Sequence, residues 1–190
     1  MKTRTPFALL ATCALTGLLY AGHAVAQAPG RAGATAPAAA PQVHANLAQL
    51  MRGILFPNAN VLFAAQNQDP ATVTRERDPS MAINPLAGAY GGWQAVENSG
   101  LALAEAANLL TVRGRMCANG KPVPAQNADW TRFVQELRDA GMAAYKAAQA
   151  KNKDEIVNAT DAVTLACADC HEVYRDKTPA QGGDAARCTP

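Results

Sequence analysis

Four stretches of this 190-residue chain place apolar residues at helical spacing, and proline and glycine clusters separate them. The first runs from about Val43 to Gln68 and carries Val43, Leu47, Leu50, Met51, Ile54 and Leu55. Pro57 removes an internal hydrogen bond and predicts a kink or break there, with Val61, Leu62 and Phe63 continuing beyond. The second, from about Trp93 to Arg113, carries Trp93, Val96, Gly100, Leu103, Ala107 and Leu110 on one face. Asp129 is the expected N-cap of the third, whose stripe is Trp130, Phe133, Val134, Leu137, Gly141, Ala144, Tyr145 and Ala148. The fourth runs from about Lys153 to Arg175, with Ile156, Val163, Cys167, Cys170 and Tyr174 inward, and Thr178-Pro179 ends it. No strand alternation interrupts this pattern. Hydrophobic residues make up 49% of the chain but aromatics only 5%, and alanine, the best helix former, supplies much of the difference. The expectation is an all-α protein, an antiparallel four-helix bundle over residues 43–178 with a polar tail at 179–190. Residues 69–91 hold Pro70, Pro79, Pro85, Gly88 and Gly91 and read as a long irregular connection.

The N-terminus reads as an address. Lys2 and Arg4 precede an apolar run from Phe7 to Tyr20, and Ala24-Val25-Ala26 is a small-x-small cleavage site. Residues 1–26 therefore read as a secretory signal peptide cleaved after Ala26, and 27–42 as a disordered Ala/Pro-rich leader. No later stretch is long and apolar enough to span a membrane. Cleavage removes Lys2 and Arg4 and leaves 15 basic residues facing 15 acidic ones. That balance excludes an electrostatic case for nucleic-acid binding. The expected compartment is the periplasm, where disulfides and covalent cofactors are permitted.

Cys167-Ala168-Asp169-Cys170-His171 is C-x-x-C-H. Two thiols three residues apart on a helix can each add across one vinyl group of a haem, and the adjacent imidazole can then bind the iron. The expected cofactor is one covalent haem c, with Cys167 and Cys170 as thioethers and His171 as proximal ligand. A redox dithiol should instead open a helix after a strand, and a zinc site would need four ligands. Cys117 and Cys188 remain as an even pair whose disulfide would pin the tail to a loop.

Attachment on the last of four helices resembles class II cytochrome c, the cytochrome c′ and cytochrome c-556 group. Cys167 to Arg175 reads CADCHEVYR, similar to that family's C-x-x-C-H-x-x-Y-R ending. The resemblance implies that Arg175 lies near the proximal face. Read from the helix alone, Arg175 is equally a solvent-exposed helix-end cation. The family also implies a distal face built by the first helix, with a Met ligand in low-spin members and an apolar residue in the cytochromes c′. Met51 is the candidate distal ligand, and core filler is its other reading. A break at Pro57 would instead put Leu55 or Phe56 over the iron. His44, seven residues before Met51, shares its helix face and offers a second histidine ligand, but an exposed helix-start His is its favoured reading; Met81 and Met142 are weaker candidates. The c′ branch pairs through its first two helices, so the resemblance extends to a homodimer.

The leading functional expectation is one-electron transfer between periplasmic redox partner proteins. No acid–base or nucleophile–base constellation points to an enzyme. The rivals are a five-coordinate haem that binds a diatomic gas such as nitric oxide, and a haem subunit of a larger oxidoreductase. Lys146, Lys151 and Lys153 cluster near a helix end and could dock an acidic partner, or be simply a solvated face.

Overall fold

A computed structural model describes residues 42–190. The expected signal peptide and all of the expected leader but Gln42 lie outside the described residues. Those residues are helical with no strand, and one isolated bridge joins Met116 and Pro122.

The first rod runs unbroken as α1 (Leu47–Leu50), a π turn (Met51–Leu55) and α2 (Phe56–Asn67). Of the kink or break expected at Pro57, no break occurs; the irregularity is the π turn just before it. Pro57 lies in the first turn of α2, just past a stretch where the ladder has loosened: the Phe56 N–H donates to the Met51 carbonyl, five residues back. Asn46 and Gln49 form a reciprocal capping box at the start of the rod. The second rod is α3 (Trp93–Ala106), extended by a 3₁₀ turn over Ala107–Thr111. The third is α4 (Ala128–Gln149). Asn127, not Asp129, occupies its cap position, because the Asp129 carboxylate lies one residue inside the helix and is used elsewhere. It accepts from the Trp130 N–H at 2.8 Å and from the Tyr174 hydroxyl at 2.7 Å. The fourth rod is α5 (Lys153–Tyr174), capped by Asn152, whose side chain accepts from the Asp154 and Glu155 amides.

Each rod packs against the next, and α2 also packs against α5, closing the ring. Neighbours run antiparallel: Gln149 meets Glu97, while Arg138 meets Asn108. The α3–α4 contact is a backbone contact. A Cβ on Gly100 would stand 2.7 Å from the Tyr145 nitrogen, and one on Gly141 would stand 2.8 Å from the Ala104 nitrogen. Leu62, Val96, Leu103, Trp130, Ile156 and Val163 fill the interior.

The connections are more built than expected. The 69–91 segment holds three 3₁₀ turns, each opened by a proline (Pro70, Pro79, Pro85) behind an Asp or Asn that caps it. The tail is folded too. A disulfide joins Cys117 to Cys188, and the Cys188 N–H donates to the Tyr174 carbonyl at 2.8 Å. The Asn119 side-chain nitrogen lies 3.0–3.2 Å from the carbonyl oxygens of Asp184, Ala185 and Arg187. The 112–123 loop also holds the first rod: Arg115, buried, donates to the Ala45 and Leu109 carbonyls, and the Leu47 N–H donates to the Met116 carbonyl at 2.8 Å.

Candidate functional site

The last two turns of α5 carry Cys167, Cys170, His171 and Tyr174 at spacings of three and four, so all four share one face. That face opens on a cavity of about 590 Å³. The volume falls within the roughly 300–1,000 Å³ of small-molecule and cofactor sites. The first rod lines it with Leu47, Met51, Leu55, Ala59 and Phe63. Leu103 and Leu110 come from the second rod, and Trp130, Phe133, Val134 and Leu137 from α4. Among the described residues, the side chains that carry charge on this wall are the cations Arg52, Arg175 and Arg187, and no carboxylate lines it. The hydroxyl of Tyr174 is satisfied behind the wall by Asp129 and by the Asn127 amide at 3.2 Å. Its ring meets Trp130 edge-on at 5.0 Å. The apolar wall is thereby held rigid by polar bonds that do not face the cavity.

Both motif thiols are free and half-buried. Burial pushes the Cys167 thiol up, with Arg175 opposing. Cys170 is pushed up to about 12, by burial first and then by negative charge on Cys167 and Asp129. Both lie at the C-terminal end of a helix, where the macrodipole also disfavours a thiolate. This is the reverse of the lowered thiol of a redox dithiol, which sits at a helix N-terminus. Burial, and next the Arg175 charge, lower the pKa of His171, with Asp176 opposing. A neutral imidazole is the form that binds iron.

A zinc site finds no support in the side-chain geometry. Among the described residues no three His, Cys, Asp or Glu side chains gather to hold a metal ion, and Cys117 and Cys188 are bonded to each other. Two thiols, one imidazole and a large apolar chamber with cations on its wall instead fit a haem.

The cavity brings together Cys167, Cys170, His171, Arg175 and Met51, and the Cys117–Cys188 disulfide also lines it. Arg175 fits both of its readings: its side chain is 53% exposed at the helix end, pairs with Asp176 at 2.6 Å, and still touches the cavity. His44 does not share the face of Met51. It precedes the cap residue Asn46, is exposed and lies off the cavity. Met81 is 72% exposed on the 69–91 segment, and Met142 does not line the cavity. The lysine cluster is not all free, since the Lys153 ammonium donates to the Ala65 and Gln66 carbonyls and so ends α2. The sequence reading missed Arg52 and Arg187 on the wall and Arg115 behind it. Arg187 had one available signal, its place beside Cys188, which the disulfide carries to the cavity.

No helix among the described residues is long and apolar enough to cross a membrane. No family model, curated protein or solved structure matches the chain.

Proposed function

We propose that this chain is a periplasmic c-type cytochrome that carries single electrons between partner proteins through one covalent haem. The observation that supports it best is the convergence on one apolar cavity of two free thiols, a histidine beside them and, from another rod, Met51. When bound, haem iron supplies the one-electron chemistry that no side chain of the cavity offers. Cys167 and Cys170 would tether the group by adding S–H across its vinyls. His171 and Met51 would hold the iron, and ligation by a thioether with a histidine favours the reduced state. Leu55, Ala59, Phe133 and Leu137 would exclude water, and Arg52, Arg175 and Arg187 would balance the propionates.

A second reading, five-coordinate haem binding nitric oxide or carbon monoxide, draws on Leu55, Phe56, Ala59 and Phe63, which offer an apolar patch beside Met51. Spectroelectrochemical titration of the holoprotein, followed by carbon monoxide added to the ferrous form, separates the two. An electron carrier gives a single one-electron wave and a ferrous spectrum that carbon monoxide leaves unchanged. Prompt, stoichiometric carbon monoxide binding would favour the gas-binding reading. A chain that carries no haem after passage through the maturation machinery would refute both.

A further inference from the structure

The first rod lines the cavity with a row at every fourth residue, Leu47, Met51, Leu55, Ala59 and Phe63, flanked by Ala48, Arg52 and Phe56. An α-helix cannot sustain that spacing. Each step of four overshoots a full turn by about 40°, so Phe63 would stand roughly 160° around the rod from Leu47. The π turn over Met51–Leu55 takes back part of that drift, because a turn closed five residues back holds more residues than an α-turn. The turn lies where a regular ladder is obstructed. In an α-helix the Pro57 nitrogen would face the Gly53 carbonyl, where it has no hydrogen to give and its ring would clash. The loosened carbonyls find other donors: the Phe56 N–H reaches Met51, and the Asn58 side chain reaches the Ile54 carbonyl at 2.7 Å.

Both ends of the rod are fixed independently. Arg115 and the Met116 carbonyl hold Ala45 and Leu47 to the disulfide-bonded 112–123 loop. Downstream, Leu62 and Ala65 are fully buried, and Lys153 grips the last carbonyls. One surplus residue between two anchored halves is what a π turn absorbs.

We infer that Pro57 is a positioning residue: by forcing the π turn it sets the rotation of α1, and this brings Met51 to the cavity. The inference deepens the proposed axial role of Met51 and rests on it for its consequence, though not for its geometry. With a regular ladder the Leu47–Met51 face would turn against Leu55–Phe63 by up to about 100°, the arc of one residue. Arg52 would then move toward the arc that Met51 holds.

The test uses three holoproteins: wild type, Pro57→Ala, and Pro57→Ala combined with deletion of Gly53. A Cβ added at Gly53 would meet nothing within 4 Å, so the position faces open space and its removal takes out the surplus residue with no side-chain packing lost. Crystal structures read the acceptor of the Phe56 amide, and absorption reads the Met-to-iron band. In Pro57→Ala the amide is expected to switch to the acceptor four residues back and the band to be lost. In the deletion variant the ladder is expected to be regular and the band restored. A Pro57→Ala protein that keeps the Met51 acceptor overturns the inference. A switched ladder in a protein whose wild type lacks any Met51-dependent band leaves the register device standing and overturns the ligation.

Discussion

Gly141→Ala tests the packing that shapes the cavity. The new methyl would stand 2.8 Å from the Ala104 nitrogen and 2.9 Å from the Gly100 oxygen. Both are backbone atoms, so no rotamer change relieves the contact. Ordinary contact begins at 3.4 Å, which requires α3 and α4 to part by roughly 0.6 Å at a close-packed seam. Overpacking of this kind costs about 1–3 kcal/mol, and the upper end applies where the obstacle is main chain. Alanine returns up to about 1 kcal/mol in helix propensity. The net expectation is a loss of about 2 kcal/mol, read as a fall of about 1 M in the urea midpoint. Leu103 on α3 and Phe133 and Leu137 on α4 line the cavity, so the same parting should loosen the grip on its occupant. Gly53→Ala is the control, because open space surrounds that position, and there the substitution should stabilise slightly. Equal midpoint shifts for the two variants would refute the reasoning.

Cys167→Ser and Cys170→Ser should each leave a single thioether, and the double variant none, measured as mass retained by the chain after acid extraction of free haem. Reducing the Cys117–Cys188 disulfide, which spans 71 residues, should lower stability by up to about 4 kcal/mol in the loop-entropy description. Urea unfolding of Cys117→Ser/Cys188→Ser checks this. Tyr174 is held above its ordinary value of 10.0, by burial first and then by its bond to Asp129. Its neutral form is the native one, so its contribution is intact below pH 10.0 and fades as pH rises toward the higher folded value. Wild type should therefore lose more stability than Tyr174→Phe across the alkaline limb of a pH–unfolding series.

The helices and the clustering of the C-x-x-C-H residues on one helix face were legible because each rests on local spacing. The stripe from Trp130 to Ala148 and the run from Ile156 to Tyr174 are periodic over whole helices, and Cys167, Cys170 and His171 sit within five positions. What escaped depends on contacts far apart in sequence. Asp129 looks like a cap until Tyr174, 45 residues on, takes its carboxylate. Arg115 resembles any loop cation until the fold lays Ala45 beside it. Pro57 was seen, but not its outcome, because whether an obstructed ladder breaks or loosens into a π turn depends on what holds the two ends of the rod. The Cys117–Cys188 link that pins the tail was legible from the even cysteine pair, but the hold of Asn119 on the 184–187 carbonyls, over 60 residues downstream, was not.

Ligation of one covalent haem by His171 and Met51 is tested most directly by absorption spectra of the ferric and ferrous holoprotein, extended to the near infrared, for wild type and Met51→Ala. The predicted result is a low-spin wild type whose ferric Met-to-iron band disappears in the variant. A high-spin spectrum that the substitution leaves unchanged would contradict it.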